Sequence, residues 1–522
     1  MKICLINSSY EGVDSPFEKY DEFPDPSRYI PKSRHEFTTR WVTKANAKEE
    51  IDAICKEDFD MFMNYMWGIE TDDVAGVEAT RYLETKGVPI LTNPSSFLSM
   101  TKLDLGKTAG ETGLRFPKNT PGRYPKIVKY SNGYGSLNLD CRSICHSDNE
   151  VQERIYIMEK GSDVFGILVQ DYIIGKECSV IVLEMGFEVV ALTPLQCIFP
   201  EDTPAEKEFL TWENKFEAVD KGIIKYAFVE NEHTAALQQC AVDAFKAIGV
   251  TGSGSWARVD LRLEEATGHV YAIEVNCIPV VFYPHGNTLG DDLVVSEKFP
   301  GAQPACFDMM LATKQMQLGW HNARVLVVAK VYNDFALTYD AHLGRSLWHG
   351  GFGRLLFEKT GCNPDVSGID VSEAMLEQPD IQAFYKKPLR VGMMQELIMS
   401  AGNFDHIVVF GAMHFLDTAE FNAVLARMFM LARKSVTFEI DDLDSKYLET
   451  LEVKFSGLLN MNNVQAVRDF GVLKGWALVL DKKMFLYSSP SVCGDVYGYG
   501  MSFQSTRYGH YTVIVLSDDQ TL

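Results

Sequence analysis

Two carboxylates are placed symmetrically about a turn in RVDLRLEEATGHVYAIEVN, residues 258–276. Alternating apolar residues on either side of Thr267 predict two short strands joined by that turn. Asp260 and Glu274 lie equally far from Thr267, so an antiparallel register places them opposite one another. Facing carboxylates repel each other unless a cation lies between them. With Asn276 they form an oxygen-only set of the kind that holds Mg²⁺, although a solvated hairpin face would have similar charges.

The composition limits the class of protein and its partners. The chain has 522 residues, 46% hydrophobic and 23% charged, which predicts two or three soluble globular domains. With 71 acidic and 49 basic residues the net charge is −22, and without a basic run we expect no nucleic-acid partner. No apolar stretch is long enough for a membrane span. The 11 scattered cysteines and the short start MKICLIN, unlike a secretory signal, predict a cytoplasmic protein with reduced thiols.

Three regions differ in their pattern of predicted elements. Residues 1–98 alternate buried strands with a helix, as in MKICLIN, DMFMNYMWG and DVAGVEATRYLETKG, which predicts an α/β domain with parallel strands. Residues 99–320 mix hairpins with helices, which is typical of an α+β ligand-binding domain. A strand–helix rhythm returns in residues 321–522, which predicts a third, α/β domain of nucleotide-binding type.

Lysines and glycines suited to phosphate binding occur in the middle region. Lys129 ends the β-branched run KIVK and is followed at once by YSNGYGS. Gly133 and Gly135 would let backbone N–H groups approach phosphate oxygens, although a plain hairpin turn is the alternative for this loop. Lys102 on a predicted helix and Lys215 in WENKFE are further candidates for a polyphosphate.

A strand with polar positions could hold a nucleoside. LVQDYIIGKE contains Gln170, Tyr172 and Ile173, whose positions on an apolar strand suit recognition of an adenine edge by backbone groups. Glu177 follows and could accept ribose hydroxyls. Taken singly, this segment is also an ordinary core strand.

The order of these parts over roughly the first 300 residues resembles the ATP-grasp superfamily, and most closely D-alanine–D-alanine ligases. The resemblance implies a pre-ATP-grasp α/β domain over residues 1–98 and an ATP-grasp domain over residues 99–320. It also implies ATP and Mg²⁺, with Mn²⁺ as an alternative metal.

The resemblance assigns roles by position. The phosphate-binding lysines would be Lys102 and Lys129, and the flap over the phosphates would be the loop Ser131 to Ser136 with Gly133 and Gly135. The adenine strand would supply Gln170, Tyr172 and Ile173, and the ribose would bind Glu177. Lys215 matches the lysine of the family's EAKY-like segment. Asp260, Glu274 and Asn276 match the three metal ligands, and Arg258 matches the arginine that stabilises the tetrahedral intermediate.

The implied reaction is ligation through an acylphosphate. ATP phosphorylates a carboxylate, and an amine then displaces phosphate, so the partners would be amino acids or related small molecules, plausibly of specialised metabolism. The substrates need not be D-alanine, because Val280 stands where the family has a glycine and the loop NSSYEGVDSPFEKYD differs from the family's substrate loop. Glu11 in that loop is a candidate partner for an amine.

The last region resembles class I S-adenosylmethionine-dependent methyltransferases, which implies a Rossmann-like fold. Asp370 in GIDVSEAM stands where such proteins hold the cofactor's ribose, and Gly351 and Gly353 match two glycines of their Gly-x-Gly-x-Gly turn. His349 replaces the first glycine and Met393 stands at a usually acidic adenine contact. We therefore expect S-adenosylmethionine to bind weakly or not at all. A fold retained as a scaffold or dimerisation module is an alternative to a catalytic methyltransferase.

Two functions from other classes stay open at the level of sequence. The chain could be a methyltransferase whose front half only binds nucleotide. It could also be a non-catalytic nucleotide sensor. Amino-acid-dependent release of ADP and phosphate would separate both from a ligase.

Overall fold

The computed structural model describes most of the chain, namely residues 1–15, 17–32, 34–161, 165–217, 224–284, 289–320, 322–336, 357, 361, 365–385, 388–442, 466–468, 470, 475–489 and 494–508. The chain divides into two compact units, Met1–Gln303 and Pro304–Leu522. The division expected near residue 98 falls inside the first unit, so the three-domain boundaries stay a prediction.

A parallel sheet begins the first unit. Its strands are β1 (Lys2–Ser8), β2 (Glu36–Val42), β3 (Met61–Tyr65) and β4 (Ile90–Leu91), in the order β2-β1-β3-β4. The helices of this region are α1 (Ala47–Ile54), α2 (Gly76–Glu84) and α3 (Ser95–Leu98). Nearly every residue of β1 and β3 is buried, as expected for strands covered on both faces. The predicted α/β arrangement with parallel strands is confirmed.

A small antiparallel sheet follows the helix α4 (Lys102–Thr112). It consists of β5 (Lys126–Tyr130), β6 (Ile144–Cys145) and β7 (Ile167–Asp171), in the order β6-β5-β7, and α5 (Asp148–Gly161) packs against it. The sequence from Pro94 to Leu114 predicted one helix, but Pro94 to Ser99 and Thr101 onward form the separate helices α3 and α4.

The largest sheet of the first unit carries the opening hairpin. Its strands are β8 (Gly175–Met185), β9 (Glu188–Ala191), β10 (Leu195–Ile198), β11 (Lys225–Phe228), β12 (Trp256–Glu264) and β13 (Val270–Asn276), all antiparallel in the order β11-β10-β8-β12-β13, with β9 beside β8. The helix α6 (Thr234–Ala247) covers it, because its buried Leu237, Ala241 and Phe245 pack in one core with strand residues such as Val259. The unit ends with α7 (Asp291–Lys298) and the start of α8 (Ala302–Gln317).

The second unit contains a parallel crossover and a long hairpin. Its helices and strands after α8 are α9 (Asn322–Ala336), β14 (Ile369–Asp370), α10 (Glu373–Leu376), α11 (Pro379–Phe384), β15 (Arg390–Val391), α12 (Met394–Leu397), β16 (Phe404–Val409), α13 (Thr418–Leu431), β17 (Ala432–Asp442), β18 (Trp476–Ser489) and β19 (Gly494–Ser505). Strands β14 and β15 pair in parallel, and so do β16 and β17. Strands β17, β19 and β18 continue the second sheet in antiparallel fashion.

Helix α13 explains how the parallel pair β16–β17 is joined. Asp417 caps its first turn by accepting from the backbone of Glu420, whose side chain accepts from the backbone of Asp417. Most of the following residues are buried, so the helix forms part of the core. The predicted strand–helix rhythm is therefore present in this unit. None of the helices within the described ranges is long and apolar enough to cross a membrane.

Candidate functional site

A cavity of about 860 Å³ in the first unit is lined by β5, β7, β8, β12, β13 and the loop after β5. Eleven of the residues predicted for a nucleotide site line it: Lys102, Lys129, Gly133, Ser136, Gln170, Tyr172, Ile173, Glu177, Lys215, Asp260 and Glu274. The fold thus brings together side chains that are far apart in the sequence.

Four further residues predicted for the nucleotide site, Ser131, Gly135, Arg258 and Asn276, are not among the residues that line the cavity. The carbonyl of Ser131 accepts a hydrogen bond from the backbone N–H of Lys102 at 2.9 Å. Gly135 belongs to the same loop, while Arg258 and Asn276 both hydrogen-bond to Asp260. These four positions therefore support lining residues.

The hairpin of β12 and β13 has the predicted register. Asp260 pairs with Glu274 and Arg258 pairs with Asn276, and the backbone N–H of Gly268 closes the turn on the carbonyl of Glu264 at 2.8 Å. The strands are less regular than predicted, because a β-bulge shifts the register between Asp260 and Leu261. The bulge adds Ile273 to β13, and both Ile273 and Glu274 line the cavity.

Each of the two facing carboxylates is paired with a cation of the protein. Arg258 donates to both oxygens of Asp260 at 2.7 and 3.1 Å. Lys102, the first residue of α4, lies 2.5 Å from Oε1 of Glu274 and donates to the carbonyl of Gly133 at 2.6 Å. These two pairs relieve the repulsion that the sequence predicted for the hairpin.

The donor set of the hairpin fits a hard cation that takes its other ligands from a nucleotide. Asn276 donates to Asp260 through its amide nitrogen at 2.9 Å, so its amide oxygen is left as an acceptor. Within the described ranges no three His, Cys, Asp or Glu side chains form a metal-binding group, and two carboxylates with one amide suit Mg²⁺ only if phosphates complete the shell. Burial opposes ionisation of Asp260, but Arg258 and Lys215 outweigh it and lower its pKa, which favours a cation ligand.

Lys129 is a buried cation without a carboxylate partner. It is 8% exposed and forms no ion pair with a described carboxylate. Burial, followed by the neighbouring charge of Lys102, lowers its pKa to about 8. A buried, unpaired ammonium group is costly, and an anion that enters the cavity would relieve that cost.

Lys215 also lines the cavity. It lies in a single π-helical turn, Glu213–Glu217, and its backbone N–H donates to the carbonyl of Thr211 at 3.1 Å. The prediction that WENKFE brings a lysine to the same site as Lys102 and Lys129 agrees with this position. Its role toward a phosphate stays a prediction.

Arg262 organises the part of the cavity predicted to hold a nucleoside. It donates to the hydroxyl of Tyr172 at 2.8 Å, to the carbonyl of Ile173 at 3.1 Å and to Glu177 at 3.3 Å. Burial raises the pKa of Glu177 against the effect of Arg262 and Lys215. The sequence analysis gave Arg262 no role, although the alternation that selected Arg258 and Asp260 places it on the same face.

Two residues predicted for the base, Gln170 in β7 and Ile173 just after it, line the cavity. Gln170 is held by its amide nitrogen, which donates to the carbonyl of Pro117 at 3.0 Å, and the side chain lines the cavity. The backbone N–H of Ile173 donates no hydrogen bond to another described residue. The ring of Tyr172 packs against Phe209 and its hydroxyl accepts from Arg262, and its role at the adenine stays a prediction.

An aromatic cluster packs against the glycine-containing loop. We use this term for Tyr10, Phe17, Tyr20, Trp67, Tyr134, Trp212 and Phe216. Phe17 is central, with ring centroids 5.0 Å from Tyr134, 5.6 Å from Trp67 and 5.2 Å from Trp212. Gly135 has φ +61°, and a Cβ there would lie 2.5 Å from the ring of Phe17. Packing thus requires this glycine, which the sequence analysis had explained by phosphate approach alone.

Asp291 lies beside Arg258 on the other side from Asp260. It begins α7, and its Oδ2 accepts from the backbone N–H of Val280 at 2.8 Å and lies 3.5 Å from the Arg258 guanidinium. Burial raises the pKa of Asp291. Asp260 and Asp291 outweigh the effect of burial on Arg258 and raise its pKa, so the arginine is a permanent cation.

In the second unit Asp370 ends β14, and its Oδ1 accepts from the backbone N–H of Ser372 at 2.8 Å. Ser372 also donates to Asn333 of α9 at 2.7 Å. Met393 is buried immediately before α12. Gly351, Gly353 and His349 lie outside the described residues. The predicted S-adenosylmethionine site therefore stays a prediction.

Residues 111–282 match the protein family described as D-ala D-ala ligase C-terminus. That segment carries most of the cavity. A D-alanine–D-alanine ligase of Janthinobacterium sp. (strain Marseille) is 31% identical over 113 residues, which is 22% of this chain and 32% of the relative. The corresponding ligase of Heliobacterium modesticaldum is 31% identical over 162 residues, which is 30% of this chain and 38% of the relative. The chain thus spans well under two thirds of the length of either relative.

Solved structures show a weaker likeness. The VanG D-Ala:D-Ser ligase from Enterococcus faecalis is 14% identical with a TM-score of 0.43, over 60% of this chain and 99% of that chain. An L-amino acid ligase from Bacillus licheniformis is 15% identical with a TM-score of 0.41, over 60% of this chain and 74% of that chain. Scores of this size support no inference about the fold.

Proposed function

We propose that the chain is an ATP-dependent ligase that joins a small-molecule carboxylate to an amine, forming ADP and phosphate through an acylphosphate. The substrates would be amino acids or related small molecules. One observation carries the proposal: cationic, carboxylate and nucleoside-type residues from separate segments converge on a single cavity. The match of residues 111–282 to the ligase family supports it.

The cavity suits ATP along its length. Gln170 and the free N–H of Ile173 would meet the adenine edge, and Glu177, held by Arg262, would accept ribose hydroxyls. The phosphates would be bound by Lys102, Lys129 and Lys215. Their negative charge would pair with the buried Lys129, which forms no ion pair with a described carboxylate.

The reaction would take place in two displacements. A carboxylate oxygen attacks the γ-phosphorus of ATP and ADP leaves, which gives an acylphosphate. The amine, which binds as an ammonium ion, loses one proton to become the nucleophile, and its nitrogen attacks the acyl carbon. The bond from that carbon to the phosphate oxygen breaks and phosphate leaves with the electron pair, while the nitrogen loses a second proton, so that one proton ends on phosphate and the other in solvent. Arg258, fixed by two carboxylates, would stabilise the oxyanion of the tetrahedral intermediate.

Asp260, Glu274 and Asn276 would hold Mg²⁺, or Mn²⁺ in its place, which when bound would neutralise charge on the phosphates. For this, Asp260 must exchange part of its contact with Arg258 for the cation, and Glu274 part of its contact with Lys102. Lys102 would then be released toward the phosphates.

For the second unit we propose a Rossmann-like, methyltransferase-type fold that binds S-adenosylmethionine weakly or not at all. The parallel pairs β14–β15 and β16–β17 support the fold class. Two departures in the sequence, His349 and Met393, support loss of the cofactor. A role as a scaffold or homodimerisation module would fit such a unit.

Amino-acid-dependent ATP turnover tests the proposed ligase. Purified full-length protein is incubated with ATP, Mg²⁺ and mixtures of amino acids, and ADP and phosphate are measured, with mass spectrometry of the products. We expect release only when both a carboxylate and an amine substrate are present. ATP binding without turnover under every mixture would favour a nucleotide sensor instead, and transfer of a methyl group would favour the methyltransferase alternative.

A further inference from the structure

Asp291 is a buried carboxylate with a hydrogen-bond donor at only one of its two oxygens. It is 1% exposed. Its Oδ2 accepts one hydrogen bond, from the backbone N–H of Val280, but its Oδ1 is buried and has no hydrogen-bond partner. A buried acceptor that loses its hydrogen bonds with water and gains none from the protein destabilises the fold, so such an atom calls for an explanation.

The nearest cation does not satisfy Asp291. The guanidinium of Arg258 lies 3.5 Å from its Oδ2, whereas the same guanidinium donates twice to Asp260 at 2.7 and 3.1 Å. One arginine thus lies between two carboxylates and is engaged mainly with one of them. Asp292, the next residue, is equally buried and adds a further carboxylate at the start of α7. Asp260 and Asp291 thus share the single positive charge of Arg258.

We propose that Asp291 binds the protonated amino group of the amine substrate. The proposal rests on the proposed ligase function, because only there does Arg258 mark the position of the reacting carbonyl. An amine that is to attack this carbonyl must lie within a few ångströms of it, and Asp291 is a direct neighbour of Arg258. The ligand class is a primary ammonium ion, which has hydrogen atoms to donate to Oδ1.

An ammonium ion fits this position better than a metal ion does. A divalent cation would meet the Arg258 guanidinium beside the same carboxylate and would gain only one or two oxygen ligands, fewer than Mg²⁺ or Ca²⁺ takes. An ammonium group carries a single charge and pairs with one carboxylate through a charge-assisted hydrogen bond. The substitution Asp291→Asn removes the charge and keeps a carbonyl oxygen for the N–H of Val280.

Hydroxylamine separates the two halves of the reaction. It is uncharged at neutral pH and converts an acylphosphate to a hydroxamate, so it needs no site for an ammonium ion. Full-length wild-type protein and Asp291→Asn are compared with ATP, Mg²⁺ and the twenty standard amino acids, first with hydroxylamine and then without it. We expect Asp291→Asn to reduce ligation to the amine at least tenfold more than it reduces hydroxamate formation, because its contact with Arg258 affects both reactions whereas only ligation needs the ammonium site. We expect its KM for the amine to rise at least tenfold, with the KM for ATP unchanged.

Asp292→Asn is the matched control, since it makes the same change in the adjacent, equally buried residue. We expect its KM for the amine to stay within about twofold of the wild-type value. Equal increases in both variants, or an unchanged KM in Asp291→Asn, would overturn the proposal. If the wild-type protein forms neither hydroxamate nor ADP with any amino acid, the ligase function itself fails. If hydroxamate forms and Asp291→Asn leaves the KM for the amine unchanged, only the proposed ammonium site is contradicted.

A measurement on wild-type protein keeps the test valid if Asp291→Asn does not fold. Methylammonium and tetramethylammonium chloride are added at the same concentration to the phosphate-release reaction. Methylammonium can donate hydrogen bonds to Asp291, so it should compete with the amine, whereas tetramethylammonium should not. Equal effects of the two salts would contradict the proposal.

Discussion

Acidic residues on strands mark a candidate site in each unit, and the two sites differ in what surrounds these residues. In the first unit Asp260 and Glu274 face a cavity together with three lysines from other segments. In the second unit Asp370 accepts a hydrogen bond from Ser372, two residues along the chain. Both were selected from short sequence patterns. The first lines one cavity with lysines from distant parts of the chain, whereas the glycines predicted for the second lie outside the described residues.

A carboxylate in a short motif does not by itself indicate a ligand site. A carboxylate at a strand end accepts local backbone hydrogen bonds readily, as Asp370 does, and this needs no ligand. A buried lysine without a carboxylate, such as Lys129, has no comparable local explanation. Uncompensated charge in a shared cavity is therefore the stronger indication of a ligand.

The largest expected effect concerns the hairpin carboxylates. Glu274→Gln should lower ATP turnover by about a hundredfold or more, because it removes a charge from the proposed Mg²⁺ site while keeping the side-chain volume. Turnover is measured as ADP release at saturating ATP. The control is Glu265→Gln in the turn of the same hairpin, where Glu265 pairs with Lys176 at 3.0 Å and lies outside the cavity lining. Near-normal turnover in Glu274→Gln would remove the hairpin from the site.

The next effect is a dependence of ATP affinity on pH through Lys129. Because its pKa is lowered to about 8, the free protein loses this charge above that pH, and phosphate binding must then take up a proton. The affinity for ATP should fall by up to about tenfold per pH unit above this value. Lys129→Met should bind more weakly at pH 7 and lack this dependence. Calorimetry at several pH values measures it, and a pH-independent wild-type affinity would speak against Lys129 as a phosphate ligand.

The lowered pKa of Lys129 also makes the stability of the fold depend on pH. Its folded-state pKa of about 8 lies below the ordinary value of 10.5, so the folded protein releases this proton before the unfolded chain does. The contribution of Lys129 to the free energy of unfolding is therefore unfavourable below pH 8 and improves as the pH rises from 8 to 10.5. Lys129→Met should be more stable than wild type at pH 7 while binding ATP less tightly, which thermal unfolding can check.

A smaller effect is expected from Phe17, the centre of the aromatic cluster. Phe17→Leu keeps an apolar side chain but loses the ring contacts with Tyr134 and Trp212, so the loop of residues 131–136 should be held less firmly. We expect a few-fold rise in the KM for ATP and faster hydrogen exchange in the loop, which nucleotide should slow. Phe187→Leu is the control, because Phe187 is 65% exposed. Loop exchange that does not respond to nucleotide would indicate an ordinary turn.

The smallest effect is expected in the second unit. Calorimetry of the full-length chain with S-adenosylmethionine and S-adenosylhomocysteine should show no micromolar binding, because each unmade hydrogen bond to the cofactor costs about 1–3 kcal/mol. Asp370→Ala should then change nothing. A micromolar Kd that Asp370→Ala abolishes would make the two units equivalent as binding sites.

The sequence predicted the parts of the site that depend on local pattern. The symmetric spacing of Asp260 and Glu274 about Thr267 was sufficient for their pairing, because an antiparallel hairpin has few alternative registers. The sequence also indicated the strand bearing Lys129, and it placed Lys102 in a helix, although it merged α3 and α4 into one. Their assignment to one site came from the resemblance to a family, since spacing alone does not bring Lys102 to Glu274.

Features that depend on tertiary contacts were not predictable in this way. The aromatic cluster joins Phe17 to Trp212 across most of the first unit's sequence, and no local pattern encodes that contact. Strand β2 was missed because its residues are mostly half-buried and lack the apolar run of β1. The pairing of Arg258 with Asp260 and the role of Arg262 depend on rotamers that periodicity does not determine.

The β-bulge at Ile273 adds an apolar residue to the cavity wall and leaves the pairing of the charged residues Asp260 and Glu274 in place. Strand β13 has one residue more than β12 at this point, so Asp260 pairs with Glu274 while Leu261 pairs with Ala272. Deleting Ile273 would leave each of these pairs with its present partner and would remove only an apolar wall and the local twist. A protein engineer could thus reshape the cavity at this position by a single codon deletion, without altering any of its ionisable groups.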